Sequence, residues 1–213
     1  MSRRRLGILV SGRGSNMEAL LAAASNPAWP AEAVLVLSNR PDADALGKAA
    51  LLNVETAVVN HTRYGKDREA FERAMNFELD RAGVELVALA GFMRVLTPWF
   101  VRLWAGRLIN IHPSLLPKYP GVDTHERALA AGEKVAGCTV HHVTANVDDG
   151  PVIGSAEVDV RADDTPETLA ARVLKAEHLL YPRCLAAVVR NEETRVVEHV
   201  LVDGDEVRIL APR

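Results

Sequence analysis

Along the chain, short continuous apolar runs alternate with longer stretches whose apolar residues recur every three or four positions. Leu6–Val10 and Ala33–Leu37 have strand length and are mostly aliphatic, as strands covered on both faces should be. Between them Asn16–Ser25 reads as a helix closed by Asn26-Pro27. A second helix, Ala43–Leu52, follows Pro41-Asp42, and a weak strand follows at Ala57–Val59. Lys66–Ala82 is a third helix, with Phe71, Ala74, Met75, Leu79 and Ala82 on one stripe, the pattern of a helix with one core-facing side. A strand at Leu86–Ala90, a short helix from Pro98 and a strand at Leu108–Ile111 continue the alternation. The pattern predicts an α/β protein with a doubly wound, mostly parallel sheet.

The last third changes character. Thr139–Thr144 and Val152–Val160 read as strands joined by the turn Asp148-Asp149-Gly150-Pro151. A long helix then opens with Thr165 as N-cap, Pro166 at its first position and Glu167 in its first turn, and runs to about Val189. Val196–Val202 and Val207–Leu210 around Asp203-Gly204 predict a β-hairpin. With no repeat, low-complexity tract or linker, residues 1–190 form one expected domain and 191–213 a C-terminal extension.

Composition narrows the class. At 213 residues, 48% hydrophobic and 25% charged, the chain has the make-up of a soluble globular protein. Its net charge of −3 lacks the basic surplus of a nucleic-acid binder, so no nucleic-acid partner is expected. The basic start Arg3-Arg4-Arg5 precedes an apolar run too short for a signal peptide. No stretch approaches the ~18 apolar residues of a membrane helix; a cytoplasmic location and no membrane contact are expected. Cys138 and Cys184 form no CxxC pair and read as buried thiols in a reducing compartment. The seven histidines show no HxxxH spacing, and His141 and His142, adjacent in a strand, face opposite ways. No metal is expected.

Two places carry candidate chemistry. Ser11-Gly12-Arg13-Gly14-Ser15-Asn16 joins the first strand to the first helix, where backbone N–H groups and a positive helix end receive anions. The third glycine of GxGxxG is replaced by Met17, and no acidic residue ends the second strand, where Ser38-Asn39-Arg40 stands. A phosphate monoester fits this loop better than a dinucleotide. The second place is Leu108-Ile109-Asn110-Ile111-His112-Pro113-Ser114. Alternation puts Asn110 and His112 on one side of a strand, near its carboxyl edge. An acid of the Asp148-Asp149 turn can partner His112 there and favour its charged form; spacing alone does not choose between the two.

These segments resemble the glycinamide ribonucleotide formyltransferases. The resemblance runs from Leu6 to about residue 189. It includes the glycine loop, Ser38-Asn39-Arg40, Ala90-Gly91-Phe92-Met93-Arg94, the run Asn110–Gly121, Val143-Thr144, Asp148–Ile153 and Ala176-Glu177-His178. It implies the formyltransferase fold and transfer of a formyl group from 10-formyltetrahydrofolate, a cosubstrate, to the amine of phosphoribosylglycinamide in purine biosynthesis. It also implies a catalytic trio of Asn110, His112 and Asp148, which selects Asp148 over Asp149. Gly12, Arg13, Gly14, Ser15 and Asn16 would hold the ribonucleotide phosphate, and Glu177 its ribose. Arg68, Phe92, Met93, Arg94, Val95 and Leu96 would contact the folate, together with Asn110 and the loop Thr144, Ala145, Asn146, Val147 and Asp148. The implied partners are small molecules, with the protein a monomer or homodimer. Lys175 lies one register position from the basic residue some relatives use, and the terminal hairpin exceeds the shorter members. Methionyl-tRNA formyltransferase and formyltetrahydrofolate hydrolase share the core but carry further domains. A nucleotide-sensing module would leave Asn110, His112 and Asp148 unexplained.

Overall fold

Strand β1 (Arg4–Val10) is the axis of the first half: Leu6, Ile8, Leu9 and Val10 are completely buried. It pairs in parallel with β2 (Ala31–Ser38) on one side and β4 (Leu86–Leu89) on the other. β3 (Thr56–Val58) adds to β2, and β5 (Leu108–His112) to β4, both parallel. The order β3-β2-β1-β4-β5 reverses direction at β1, so the crevice where such sheets bind ligands lies beyond the carboxyl ends of β1 and β4. Helices α1 (Ser15–Ala24), α2 (Asp44–Leu51), α3 (Arg68–Arg81) and α4 (Pro98–Leu103) provide the crossovers. The computed structural model describes residues 2–192, 198–202 and 204–210. The chain divides into two compact units, Met1–Asn110 and Ile111–Arg213.

Helix α3 buries Phe71, Met75 and Leu79 from its predicted stripe, and also Glu72, which the stripe does not contain. The Glu72 carboxylate accepts the Thr97 N–H at 2.7 Å and the Thr97 hydroxyl. Buried carboxylates need such donors, and here they hold the start of α4. Between β3 and α3 a single turn of 3-10 helix, His61–Tyr64, is capped by the Asn60 side chain. The apolar pattern gives no sign of it.

In the second unit β6 (Val135–His142), β7 (Val152–Asp159), β9 (Asp205–Leu210) and β8 (Glu198–Val202) pair antiparallel in that order. β6 starts four residues before the predicted Thr139 and ends at His142, leaving Val143 and Thr144 outside it. Gly137 lies within this earlier stretch, and an added Cβ there would lie 1.9 Å from the Ala156 carbonyl oxygen. Here glycine marks close approach inside a strand, not a break. A short helix not read from sequence, α5 (Thr124–Ala130), precedes β6. α6 (Pro166–Arg190) follows β7, with Thr165 and Thr168 bonded reciprocally across its first turn.

A buried ionic cluster ties these pieces together. Arg172 of α6 donates to both oxygens of Asp164, at 2.7 and 2.9 Å, and to Asp205 at 3.2 Å. Asp205 also takes Arg161 at 2.5 Å and Lys175 at 3.4 Å. Arg172, and to a lesser degree the Arg161 N–H and the Thr168 hydroxyl, hold the Asp164 carboxyl far below the usual range against the opposing cost of burial. The 198–210 hairpin thus extends the β6–β7 sheet and is fastened to α6. Val196, Val197 and Asp203 of the predicted hairpin lie outside the described residues. Among the described residues no helix is long and apolar enough to cross a membrane.

Candidate active site

A cavity of about 510 Å³ opens over the carboxyl ends of the first four strands. Ser11–Asn16 follows β1, Asn39 and Arg40 follow β2, His61 follows β3, and Ala90, Gly91, Met93 and Arg94 follow β4. All five residues of the glycine loop predicted to hold phosphate are in this lining. Gly14 caps α1 with φ 76°, in the left-handed region, and a Cβ there would lie 2.6 Å from the Ala45 Cβ. Only glycine meets both demands. The first turn of α1 presents N–H groups that the helix itself does not use. The lining holds three arginines and one histidine and no carboxylate, so its field selects anions.

The second constellation surrounds Asp148. Its Oδ2 accepts the Gly121 N–H at 2.9 Å and lies 3.4 Å from His112 Nδ1. Its Oδ1 is 3.7 Å from His141 Nε2. The other nitrogen of each ring faces a backbone carbonyl: His112 Nε2 meets Tyr119 at 2.9 Å, and His141 Nδ1 meets His142 at 2.9 Å. A carbonyl only accepts, so each ring turns a proton-bearing nitrogen to the main chain and its other nitrogen to the shared carboxylate. Burial works to raise the Asp148 pKa. The His141 ring, the Gly121 N–H and the His112 ring outweigh it and hold the carboxyl below its usual range. Burial, followed by the charge of the neighbouring imidazole, pushes His125 and His142 down.

The turn that delivers Asp148 depends on backbone shape. Asp148 has φ 53°, a conformation aspartate and asparagine tolerate better than other side chains. At Gly150 an added Cβ would lie 1.7 Å from the His142 carbonyl oxygen, so the turn closes onto the end of β6 only with glycine there.

A family model described as Formyl transferase matches residues 4–185. The chain belongs to the formyl transferase family. The crystal structure of phosphoribosylglycinamide formyltransferase from Brucella melitensis superposes with TM-score 0.85 at 49% identity, covering 88% of this chain and 96% of that one. Phosphoribosylglycinamide formyltransferase of Escherichia coli is 43% identical over 175 residues, covering 82% of each chain. The chain also matches the trifunctional purine biosynthetic protein adenosine-3 of Drosophila melanogaster, 46% identical over 191 residues, but spans only 14% of its length.

In this formyl transferase, β5 carries both half-buried Asn110 and buried His112. Arg68 opens α3, and its guanidinium donates to the Val95 carbonyl, tying the 92–96 segment down. Phe92 and Leu96 are buried, whereas Met93 is 73% exposed and Val95 is also open. Thr144, Ala145, Asn146 and Val147 form the loop between β6 and β7. There Asn146 donates to Asp149 at 3.0 Å, so Asp149 turns toward the loop and Asp148 toward the histidines. Glu177 is buried in α6. Sequence reasoning missed His141 as a partner of Asp148, having weighed it only against His142 as a metal ligand. Its signal was strand alternation with Thr139, whose hydroxyl donates to Ser114 O at 2.7 Å and accepts Leu116 N–H at 3.0 Å.

Proposed function

We propose that this chain transfers the formyl group of 10-formyltetrahydrofolate to the amine of phosphoribosylglycinamide in purine biosynthesis. Membership of the formyl transferase family and the names of its relatives support the reading. The observation that carries it is the buried Asp148 carboxylate 3.4 Å from His112 Nδ1. A carboxylate at Nδ1 orients the ring, leaving Nε2 for the reaction. The neutral substrate amine attacks the formyl carbon, a new N–C bond forms, and negative charge collects on the formyl oxygen. Asn110 and the His112 Nε2–H donate to that oxygen. The bond to the folate nitrogen then breaks, the attacking amine gives up a proton, and the folate nitrogen gains one, with His112 as the carrier. In this structure the Tyr119 carbonyl occupies His112 Nε2, and a substrate oxygen competes for the same proton.

In this reading Gly12–Asn16 hold the ribonucleotide phosphate and Glu177 its ribose. Arg68, Phe92–Leu96, Asn110 and Thr144–Asp148 serve the folate, with exposed Met93 and Val95 offering apolar contact and buried Phe92 and Leu96 supporting them. The test is an assay of formyl transfer with phosphoribosylglycinamide, water and initiator tRNA as competing acceptors. Rapid transfer to the ribonucleotide is expected. Faster transfer to water or tRNA overturns the reading.

A further inference from the structure

We propose that His61 is a contact for the substrate phosphate, made through Nε2 and aimed by Asn39. The proposal rests on the ribonucleotide reading above and adds a residue that neither the glycine loop nor the resemblance supplies. His61 lines the same cavity as Gly12–Asn16, although it comes from the 3-10 turn after β3. Its Nδ1 lies 2.9 Å from the Asn39 carbonyl oxygen and 3.2 Å from the Asn39 side-chain nitrogen. The carbonyl can only accept, so the Nδ1 proton is committed there, and Nε2 is the nitrogen left for a ligand.

The support behind the ring is unusually complete. Asn39 is 3% exposed, and its side-chain oxygen accepts the Ser11 hydroxyl at 2.6 Å. Ser11 in turn accepts the Met93 N–H at 2.8 Å, and its own N–H donates to Gly91 at 3.1 Å. The His61 N–H also donates to the Asn39 carbonyl, at 3.2 Å. One buried chain of donors therefore fixes the glycine loop, the segment after β4 and the imidazole in a single arrangement. The ring also packs nearly at right angles to Phe71, with ring centroids 6.5 Å apart. A histidine needed only as a spacer would not require this support.

The charged groups of the cavity favour the same role. Arg13, Arg40 and Arg94 line it with His61. Arg40 is engaged by Asp42, and Arg94 lies over the Phe71 ring at 5.3 Å. Two of the three arginines thus have other commitments, while a phosphate monoester brings up to two negative charges. With both ring nitrogens protonated, as in the imidazolium, Nδ1 keeps the Asn39 carbonyl and His61 Nε2 adds a charged donor to the backbone N–H groups of the loop.

Calorimetry with inorganic phosphate, phosphoribosylglycinamide and 10-formyltetrahydrofolate tests this on wild type, His61→Asn and His61→Gln. Asparagine keeps a donor near Nδ1 for the Asn39 carbonyl and removes the outer nitrogen; glutamine does the reverse. Loss of one charge-assisted hydrogen bond should weaken phosphate and ribonucleotide about tenfold in His61→Asn, with partial recovery in His61→Gln and unchanged folate affinity. In wild type, titrating phosphate should move the His61 Nε2 resonance more than Nδ1. Wild-type phosphate affinity in His61→Asn, equal loss of folate affinity, or an unmoved Nε2 resonance overturns the proposal. If wild type binds phosphate in the expected way but not the ribonucleotide, the functional reading fails and the His61 contact stands.

Discussion

The two constellations are built from opposite materials. The anion cavity of the first unit is made chiefly of main chain: N–H groups, a left-handed glycine and the ends of four parallel strands. The acid–base cluster of the second unit is made of side chains, one carboxylate from a turn between an imidazole at the end of β5 and another on β6. A backbone site has to be right in shape and tolerates little added volume. A side-chain site has to be right in charge and tolerates isosteres that keep the shape. The two should therefore fail under different substitutions.

Asp148→Asn is the sharpest way to break that contrast. Asparagine accepts the left-handed backbone and nearly keeps the volume, so only the charge is lost. A fall of about 10²–10³ in kcat is expected, with ribonucleotide affinity kept. Turnover near wild type in steady-state kinetics would mean that the carboxylate is only a structural cap. Asp164→Ala attacks the frame of the second unit. It strands Arg172, itself nearly buried beside an Asp164 side chain only 2% exposed. A loss of about 3 kcal/mol is expected in urea unfolding, because breaking a buried pair leaves an uncompensated charge. A change too small to measure would show that Asp205 alone holds the arginine.

Gly14→Ala makes the reverse change, adding one carbon and no charge. The left-handed backbone costs about 1–2 kcal/mol for a non-glycine residue, apart from the Ala45 contact. Ribonucleotide affinity should drop about tenfold while folate affinity holds; equal loss of both would reduce the loop to a structural turn. The smallest effect concerns pH. Because the Asp148 pKa is lowered in the fold, its charged form and the stability it contributes are complete above the ordinary carboxylate range. Both are lost only as pH falls below that range. No inflection from Asp148 should appear in kcat/KM between about pH 5 and 8. An acid limb in that window that vanishes in Asp148→Asn would contradict the assignment.

How far the sequence foretold each region follows from the same contrast. The glycine loop was legible because its chemistry lies in consecutive residues, and the α6 start because Thr165 and Pro166 act locally. The α3 stripe revealed the apolar face but not Glu72, whose partner Thr97 is 25 residues away. His141 and His61 escaped because their meaning depends on what the fold brings opposite them: Asp148 across a turn, and the Asn39 carbonyl at the end of another strand. The start of β6 was missed as well, and the close approach of Gly137 to Ala156 within it is visible only in the fold. Asp148 itself was reached through resemblance, because a doublet of acids in a turn gives no local sign of which one faces inward.

The glycine that lets the 148–151 turn close also sets a clock on the molecule. Gly150 has no side chain to shield its amide nitrogen, and the preceding Asp149 is exposed. Attack of that nitrogen on the Asp149 side-chain carbonyl expels water and gives a cyclic imide, and hydrolysis of the imide at its other carbonyl takes the water back and inserts a methylene into the main chain. The mass of the product is unchanged, but the peptide beside Asp148 is longer. Stored protein should therefore grow old at one end of its chemistry first: formyl transfer declines while the cavity over β1 and β4 goes on binding phosphate.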